Sequence, residues 1–215
     1  FLTVVFNGEI YNYRELRHEL RSLGHIFYSD SDTEVLLAAW YQWGSAALRR
    51  FVGMFAFALY DRRTHTLTLA RDAFGIKPLF YQVGSDSVIF ASELRALTIL
   101  KDNPSELHTQ AAYDYLVHGH YDHTGQSFIK GVQSLPPAHF LTLPIYTEQL
   151  PAPMRWWTPQ ITENRPALRY SDAAAELRER FLDNIRLHMR SDVTLGAALS
   201  GGLDSSAIVC AMRHV

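Results

Sequence analysis

Three short runs hold the side chains whose types and spacing could do chemistry. Asn7, Gly8 and Glu9 come directly after Thr3 to Phe6, a β-branched and aromatic stretch that reads as a strand. A side-chain amide and a backbone N–H at a strand end can point together into a cleft. Such a pair suits the oxyanion formed when a nucleophile attacks an amide carbonyl, although Asn-Gly is equally an ordinary strand-ending turn. Asp32 lies in Ser31 to Glu34, a capping-box spacing at the start of a helix. An acid in the first turn of a helix is favoured there by the dipole and needs no ligand.

The third run is SGGLDSS, Ser200 to Ser206. Its glycines let the backbone pass close to a ligand and turn several N–H groups one way, while the following helix presents its positive end to a polyphosphate. Ser200, Ser205 and Ser206 add hydroxyl donors. Asp204 would repel phosphate unless a divalent cation lay between them, and Mg²⁺ bridging is the natural hypothesis. The plainer alternative is a tight strand-to-helix turn with Asp204 near the helix start. No Lys follows the second glycine, so the run is not a Walker A loop.

The elements around these runs fall into two grammars. Helical spacing at Tyr13, Leu16, Leu20 and Leu23 stops at Gly24, and a second helix with Leu36, Leu37 and Trp40 stops at Gly44. Extended stretches follow at Met54 to Tyr60, Thr66 to Ala70, Leu79 to Gln82, Val88 to Ala91 and His139 to Leu143, with short helices after Ser92 and Thr109. Closely spaced strands joined by turns predict antiparallel sheet flanked by helices, an α+β class. Pro144 to Pro166 holds five of the nine prolines and reads as a linker, with Trp156 and Trp157 expected to pin it to a domain surface. Beyond it come a helix with Leu177, Phe181 and Ile185 on one face, a short buried strand from Val193 to Leu199, the glycine loop and another helix. That order opens a parallel α/β domain.

Composition excludes several classes of function. Among 215 residues, 22 acidic and 20 basic side chains give a formal charge of −2, so no polybasic surface is available for nucleic acid or an anionic membrane. With 47% hydrophobic residues, intrinsic disorder is no description of the whole. The apolar start Phe1 to Phe6 is too short for a membrane span. The single cysteine, Cys210, allows no intrachain disulfide and points to a cytoplasmic setting; its apolar neighbours predict a buried packing role. His118, His120 and His123 are close together, but no thiol or carboxylate pattern completes a metal site.

FNGEIYNYREL, the SDTE of Ser31 to Glu34, RDAFGIKPLFY from Arg71 to Tyr81, FASELRAL from Phe90 to Leu97, LPPAH from Leu135 to His139 and the final SGGLDSS stand in one order. In that order they resemble the glutamine-dependent asparagine synthetases over nearly the whole chain. The resemblance implies antiparallel sheets layered with helices, the αββα arrangement of N-terminal-nucleophile hydrolases, followed by the beginning of an α/β ATP pyrophosphatase domain. The implied organisation is a glutaminase domain over 1–144, a linker over 145–170 and the start of a synthetase domain over 171–215. Asn7 and Gly8 would form the oxyanion hole, and Glu9 and Asp32 would hold the polar head of glutamine. Leu199 would lie near the adenine of ATP, with Ser200, Gly201, Gly202, Asp204, Ser205 and Ser206 around its phosphates, where Asp204 would meet Mg²⁺. Arg71 and Asp72 also match the family and read as structural, an ion pair within the sheet domain.

The family's nucleophile is a cysteine at the mature N-terminus, whose α-amine serves as base. Residue 1 is Phe, and Cys210 lies past the phosphate loop. The chain is therefore expected to be an internal portion of such an enzyme and inactive by itself, with the nucleophile and a substrate-binding arginine upstream of Phe1. The implied reaction is ATP-dependent amidation of aspartate through a β-aspartyl-adenylate, with glutamine, aspartate and ATP as substrates. A homodimer stays open, as do a related amidotransferase acting on another carboxylate, in peptide or polysaccharide assembly or β-lactam formation, and a non-catalytic glutamine-binding module.

Overall fold

The computed structural model describes residues 1–84, 87–100, 106–121, 123–145, 151–161 and 169–215. They divide into two compact units, Phe1–Thr158 and Pro159–Val215. The division falls within the stretch 145–170 read as a linker, of which 146–150 and 162–168 lie outside the described residues.

The first unit begins with β1 (Leu2–Ile10), α1 (Tyr13–Ser22) and α2 (Asp32–Trp43), followed by a short 3₁₀ helix and the hairpin of β2 (Gly53–Asp61) and β3 (Thr66–Arg71). Then come β4 (Phe80–Val83), β5 (Val88–Ala91), α3 (Leu94–Ile99), α4 (Thr109–His118), β6 (Gln133–Ser134), β7 (His139–Pro144) and β8 (Met154–Arg155). Two antiparallel sheets result, ordered β1-β2-β3-β7-β8 and β5-β4-β6. The period of two along β2 explains how they stack. Phe55, Phe57 and Leu59 turn one way into a core shared with Leu16 and Leu20 of α1 and Val35, Leu36 and Ala39 of α2. Ala56 and Ala58 turn the other way into a second core with Leu79, Tyr81, Leu135 and Leu141, which joins the two sheets. Leu97 of α3 is fully buried beside β5. The layers therefore run helix, sheet, sheet, helix, and each fully buried Phe or Leu contributes about 1.5–3 kcal/mol.

Several local readings change in three dimensions. Asn7 and Gly8 do not end a strand: β1 continues through them to Ile10, in register from Leu2 opposite Asp61 to Ile10 opposite Gly53. Gly8 has φ +149°, and a Cβ there would lie 2.1 Å from the Met54 carbonyl oxygen. Only glycine lets the two backbones approach this closely. Trp156 passes through the surface into the core. It is 6% exposed and stacked on Phe55, and its indole Nε1 donates to the Arg71 carbonyl at 3.0 Å.

Arg71 and Asp72, expected as an ion pair, each grip backbone. Arg71 donates to the carbonyls of Lys77, Gly75 and Leu135 at 2.7–2.9 Å. Asp72, 1% exposed, accepts N–H bonds from Phe55, Phe74, Ile76 and Lys77. Together they tie the loop after β3 to β2 and to the LPPAH segment, where Ala138 donates to the Asp72 carbonyl at 2.8 Å.

In the second unit, α5 (Tyr170–His188) packs on α6 (Leu203–His214) through Leu182, Ile185 and Ala211. Leu177 and Phe181, expected on the buried face, are 69% and 37% exposed; Leu182 and Ile185 carry the contact of α5 with α6. Residues 193–199 form no strand, and Val193 and Leu199 are exposed. Among the described residues of this unit there is no other strand to pair with, and an unpaired strand leaves its backbone groups to water. Cys210 is exposed as well, since the neighbouring Ala211 occupies the buried face and the next residue on a helix is rotated well away from it.

Candidate functional site

Pleating of β1 puts Leu2, Val4, Phe6 and Ile10 on the helix side, where they are half-buried or buried. Val5, Asn7 and Glu9 consequently face the other way, exposed. There a cleft of about 320 Å³, including its open mouth, lies between the two sheets, lined among others by Val5, Asn7, Ala56, Leu79, Phe90 and Ser92. Asn7 Nδ2 donates to Ser92 Oγ at 2.9 Å across 85 positions of sequence. That tether fixes the carboxamide of a side chain on an edge strand, and nothing in the local pattern around either residue signals it.

Asp32 comes to the same end of β1. Its Oδ2 accepts the Ile10 N–H at 3.0 Å, so the carboxylate is anchored one residue beyond Glu9. The helix start that carries it is held in two ways. Ser31 Oγ accepts the Thr33 N–H at 3.1 Å, an N-cap bond to the second helical residue in place of the Glu34 N–H of the expected capping box. Glu34 reaches past the cap and accepts the N–H groups of Tyr28 and Ser29 and the Ser29 hydroxyl at 2.7–2.9 Å. The Ser29 hydroxyl bond, followed by the Tyr28 N–H, draws the Glu34 carboxyl below its ordinary range. Tyr11, 6% exposed, titrates above its usual range, first through burial and then through the negative charges of Glu9 and Asp72. Asn7, Gly8, Glu9 and Asp32 are thus gathered around one strand end. A tethered amide and two acids carried at the same end of β1 are the residue types that an amide bearing an α-ammonium group demands.

The second candidate lies in the other unit. Gly201 has φ +80°, and Gly202 precedes α6. Ser200 Oγ and Ser205 Oγ are 3.0 Å apart, and Ser205 Oγ also donates to the Gly202 carbonyl at 3.2 Å. The hydroxyls close the loop on itself ahead of a 12-residue helix. Leu199, Gly201, Gly202 and Asp204 are exposed, Asp204 in the first helical turn. The donors fit an anion and the carboxylate fits a hard cation.

The three histidines near the end of α4 neighbour one another through ring contacts, and His123 Nε2 lies 3.2 Å from Asp114 Oδ2. Among the described residues no group of three or more acids, histidines or cysteines is gathered for a metal ion. No helix among them is long and apolar enough to cross a membrane.

Comparison with known proteins falls along the same division. Residues 1–157 match the family pattern described as a glutamine amidotransferase domain, and residues 176–215 match the one described as asparagine synthase. The asparagine synthetase (glutamine-hydrolyzing) 1 of Bacillus subtilis is 38% identical over 98% of the chain, which covers 32% of that protein. A relative in Mycobacterium bovis, provisionally given the same enzyme name, is 42% identical over 98% of the chain and 33% of its own length. The chain thus spans about a third of the length of the curated relatives it matches. A solved structure, the glutamine phosphoribosylpyrophosphate amidotransferase of B. subtilis with ADP and GMP, aligns over 74% of this chain and 30% of its own. Its TM-score is 0.51 at 21% identity. That likeness is one of fold, antiparallel sheets layered with helices.

Proposed function

The chain belongs to the glutamine amidotransferase domain family, and we propose that the protein it forms part of is a glutamine-hydrolysing asparagine synthetase. Residues 1–144 are read as its glutaminase, 145–170 as linker and 171–215 as the start of its ATP-dependent synthetase. The observation that carries this reading is the pairing, in one chain, of an amide-and-carboxylate cluster at the end of β1 with a serine-glycine loop at the start of α6.

At the first site the glutamine amide carbonyl lies against the Asn7 side-chain amide and the Gly8 backbone. Glu9 and Asp32 take its α-ammonium. Attack on the carbonyl carbon breaks the C–N bond, and with one water glutamine becomes glutamate and ammonia. The family's cysteine nucleophile is not among these residues, whose single cysteine is Cys210 on α6, so the isolated chain is expected to bind glutamine without hydrolysing it. At the second site ATP lies with its adenine near Leu199 and its phosphates among Ser200, Gly201, Gly202, Ser205 and Ser206. A carboxylate is a poor electrophile, so aspartate attacks the α-phosphorus, pyrophosphate leaves, and ammonia displaces AMP from the β-aspartyl-adenylate to give asparagine. Asp204, an oxygen donor in the first turn of α6, would hold Mg²⁺, a hard cation that would offset the charge of the phosphates. These substrates favour a cytoplasmic setting.

The test uses the complete protein with two nitrogen donors. Asp32→Ala is expected to lower glutamine-driven asparagine formation at glutamine well below KM at least about tenfold, as expected for loss of a charge-assisted contact, while synthesis from added ammonia survives. Equal loss with both donors would show that Asp32 serves folding instead. Asp204→Ala is expected to abolish pyrophosphate release with either donor. Release at the wild-type rate would sink the ATP assignment.

A further inference from the structure

Arg17 on α1 is 7% exposed, and its guanidinium lies 5.4 Å from the ring centroid of Tyr13 and 5.6 Å from that of Phe27. Nη1 donates to Asp30 Oδ1 at 2.6 Å and Nη2 to the Ser31 carbonyl at 3.2 Å. Nε is buried with no hydrogen-bond partner. A buried N–H left unpaired weakens the folded state, and a methionine or leucine here would fill space between two rings without that cost. The arginine is therefore not explained by packing alone. What it does hold is the peptide immediately before Asp32: Ser31 caps α2, and Asp32 is the first residue of that helix, with its Oδ2 against the Ile10 N–H.

Resting on the glutaminase reading above, we infer that Arg17 is a positioning residue for glutamine recognition, holding the 30–31 peptide so that Asp32 stands beside Glu9 to receive the α-ammonium. The fork geometry of a guanidinium suits the task, because it bonds a carboxylate and a carbonyl at once in one plane. Asp30 supplies the outer anchor. Its side chain is 98% exposed, so it is placed to neutralise Arg17 from the solvent side and leave the charge of Asp32 available for the substrate. The α-ammonium is remote from the amide that reacts, and contacts to it are made in the ground state and the transition state alike. Loosening Asp32 should therefore raise KM and leave kcat nearly unchanged.

The experiment measures glutamine hydrolysis and ammonia-dependent synthesis by the complete protein and by Arg17→Gln, Arg17→Lys, Asp30→Ala and Asp32→Ala. For Arg17→Gln, KM for glutamine is expected to rise about tenfold with kcat within about threefold of wild type, and ammonia-dependent synthesis should be retained. Arg17→Lys, which keeps the charge but loses the fork, should recover part of the rise. Asp30→Ala removes only an exposed side chain and cannot empty the core, so it guards against a variant that merely misfolds. Its KM should rise about threefold, since the bond to Ser31 remains. An unchanged KM in both Arg17→Gln and Asp30→Ala, or parallel loss with glutamine and ammonia, would overturn the positioning role while leaving the glutaminase reading intact. If Asp32→Ala itself leaves KM for glutamine unchanged, the assignment of Asp32 fails and the role of Arg17 with it.

Discussion

Gly8→Ala should abolish glutamine hydrolysis and lower the stability of the first unit by about 3 kcal/mol, roughly 6–12 °C in melting temperature. A Cβ at position 8 would stand 2.1 Å from the Met54 carbonyl oxygen and 2.7 Å from the Phe55 Cα, and its φ of +149° is one that L side chains rarely adopt. Neither neighbour is the end of a flexible side chain, so the clash cannot be relieved by a rotamer change. A Cβ on the facing Gly53 would meet the Glu9 carbonyl oxygen at 2.1 Å, so this end of the β1–β2 ladder has no slack on either strand. Relief requires β1 to move away from β2, and β1 carries Asn7, Glu9 and the Ile10 N–H that anchors Asp32. Thermal melting and glutaminase assays on one sample of the complete protein check the prediction. A variant that melts with the wild type would mean that the strands can part at little cost.

Asp72→Ala is expected to be the most destabilising substitution in the chain outside the glycines, at about 3–5 kcal/mol. The carboxylate is 1% exposed and accepts four backbone N–H groups at 3.0–3.2 Å. Truncation takes the partner from all four, the Phe55 N–H in a buried position, and it releases the loop that presents Lys77 and Gly75 carbonyls to Arg71. Asp72→Asn should recover little, since an amide replaces one acceptor oxygen with a donor that faces N–H groups. Urea denaturation measures the loss. The hydrogen bonds of Asp72 go to Phe55 and the loop after β3 rather than to the side chains assigned to glutamine, so any surviving folded protein should keep a near-normal KM for glutamine. A selective rise in KM would instead give it a role at the site.

Most of the secondary structure was legible because it depends on neighbours in sequence. The alternation of large and small residues along Phe55 to Leu59 reads directly as a strand buried on both faces, and Ser31, Gly24 and Gly44 mark helix ends by their own backbone preferences. Misreadings came where distant atoms decide. Asn7 and Gly8 look like a turn until the close approach of β2 explains why a glycine is needed inside a strand. Val193 to Leu199 has the composition of a strand, but a strand needs a ladder partner, and none is present among the described residues of its unit. Cys210 and Ala211 differ in burial by one helical step, which depends on where α5 touches α6.

The candidate site divides in the same way. Residue types single out Asn7, Gly8 and the Ser200–Ser206 loop as candidates, because an amide and a glycine-serine loop have a restricted chemistry, whereas Glu9 and Asp32 stand out only through the resemblance of the ordered motifs to the asparagine synthetases. The sequence alone also determined the helix-and-antiparallel-sheet class and the near-neutral charge. The contacts that hold those residues in place belong to the tertiary structure: Ser92 on Asn7 across 85 positions, the Ile10 N–H on Asp32, and Arg17 on the Ser31 carbonyl. Chemistry is a property of side chains and is written residue by residue. Distance is a property of the folded chain, decided here by two glycines that let β1 approach β2 and by two cores that stack the sheets.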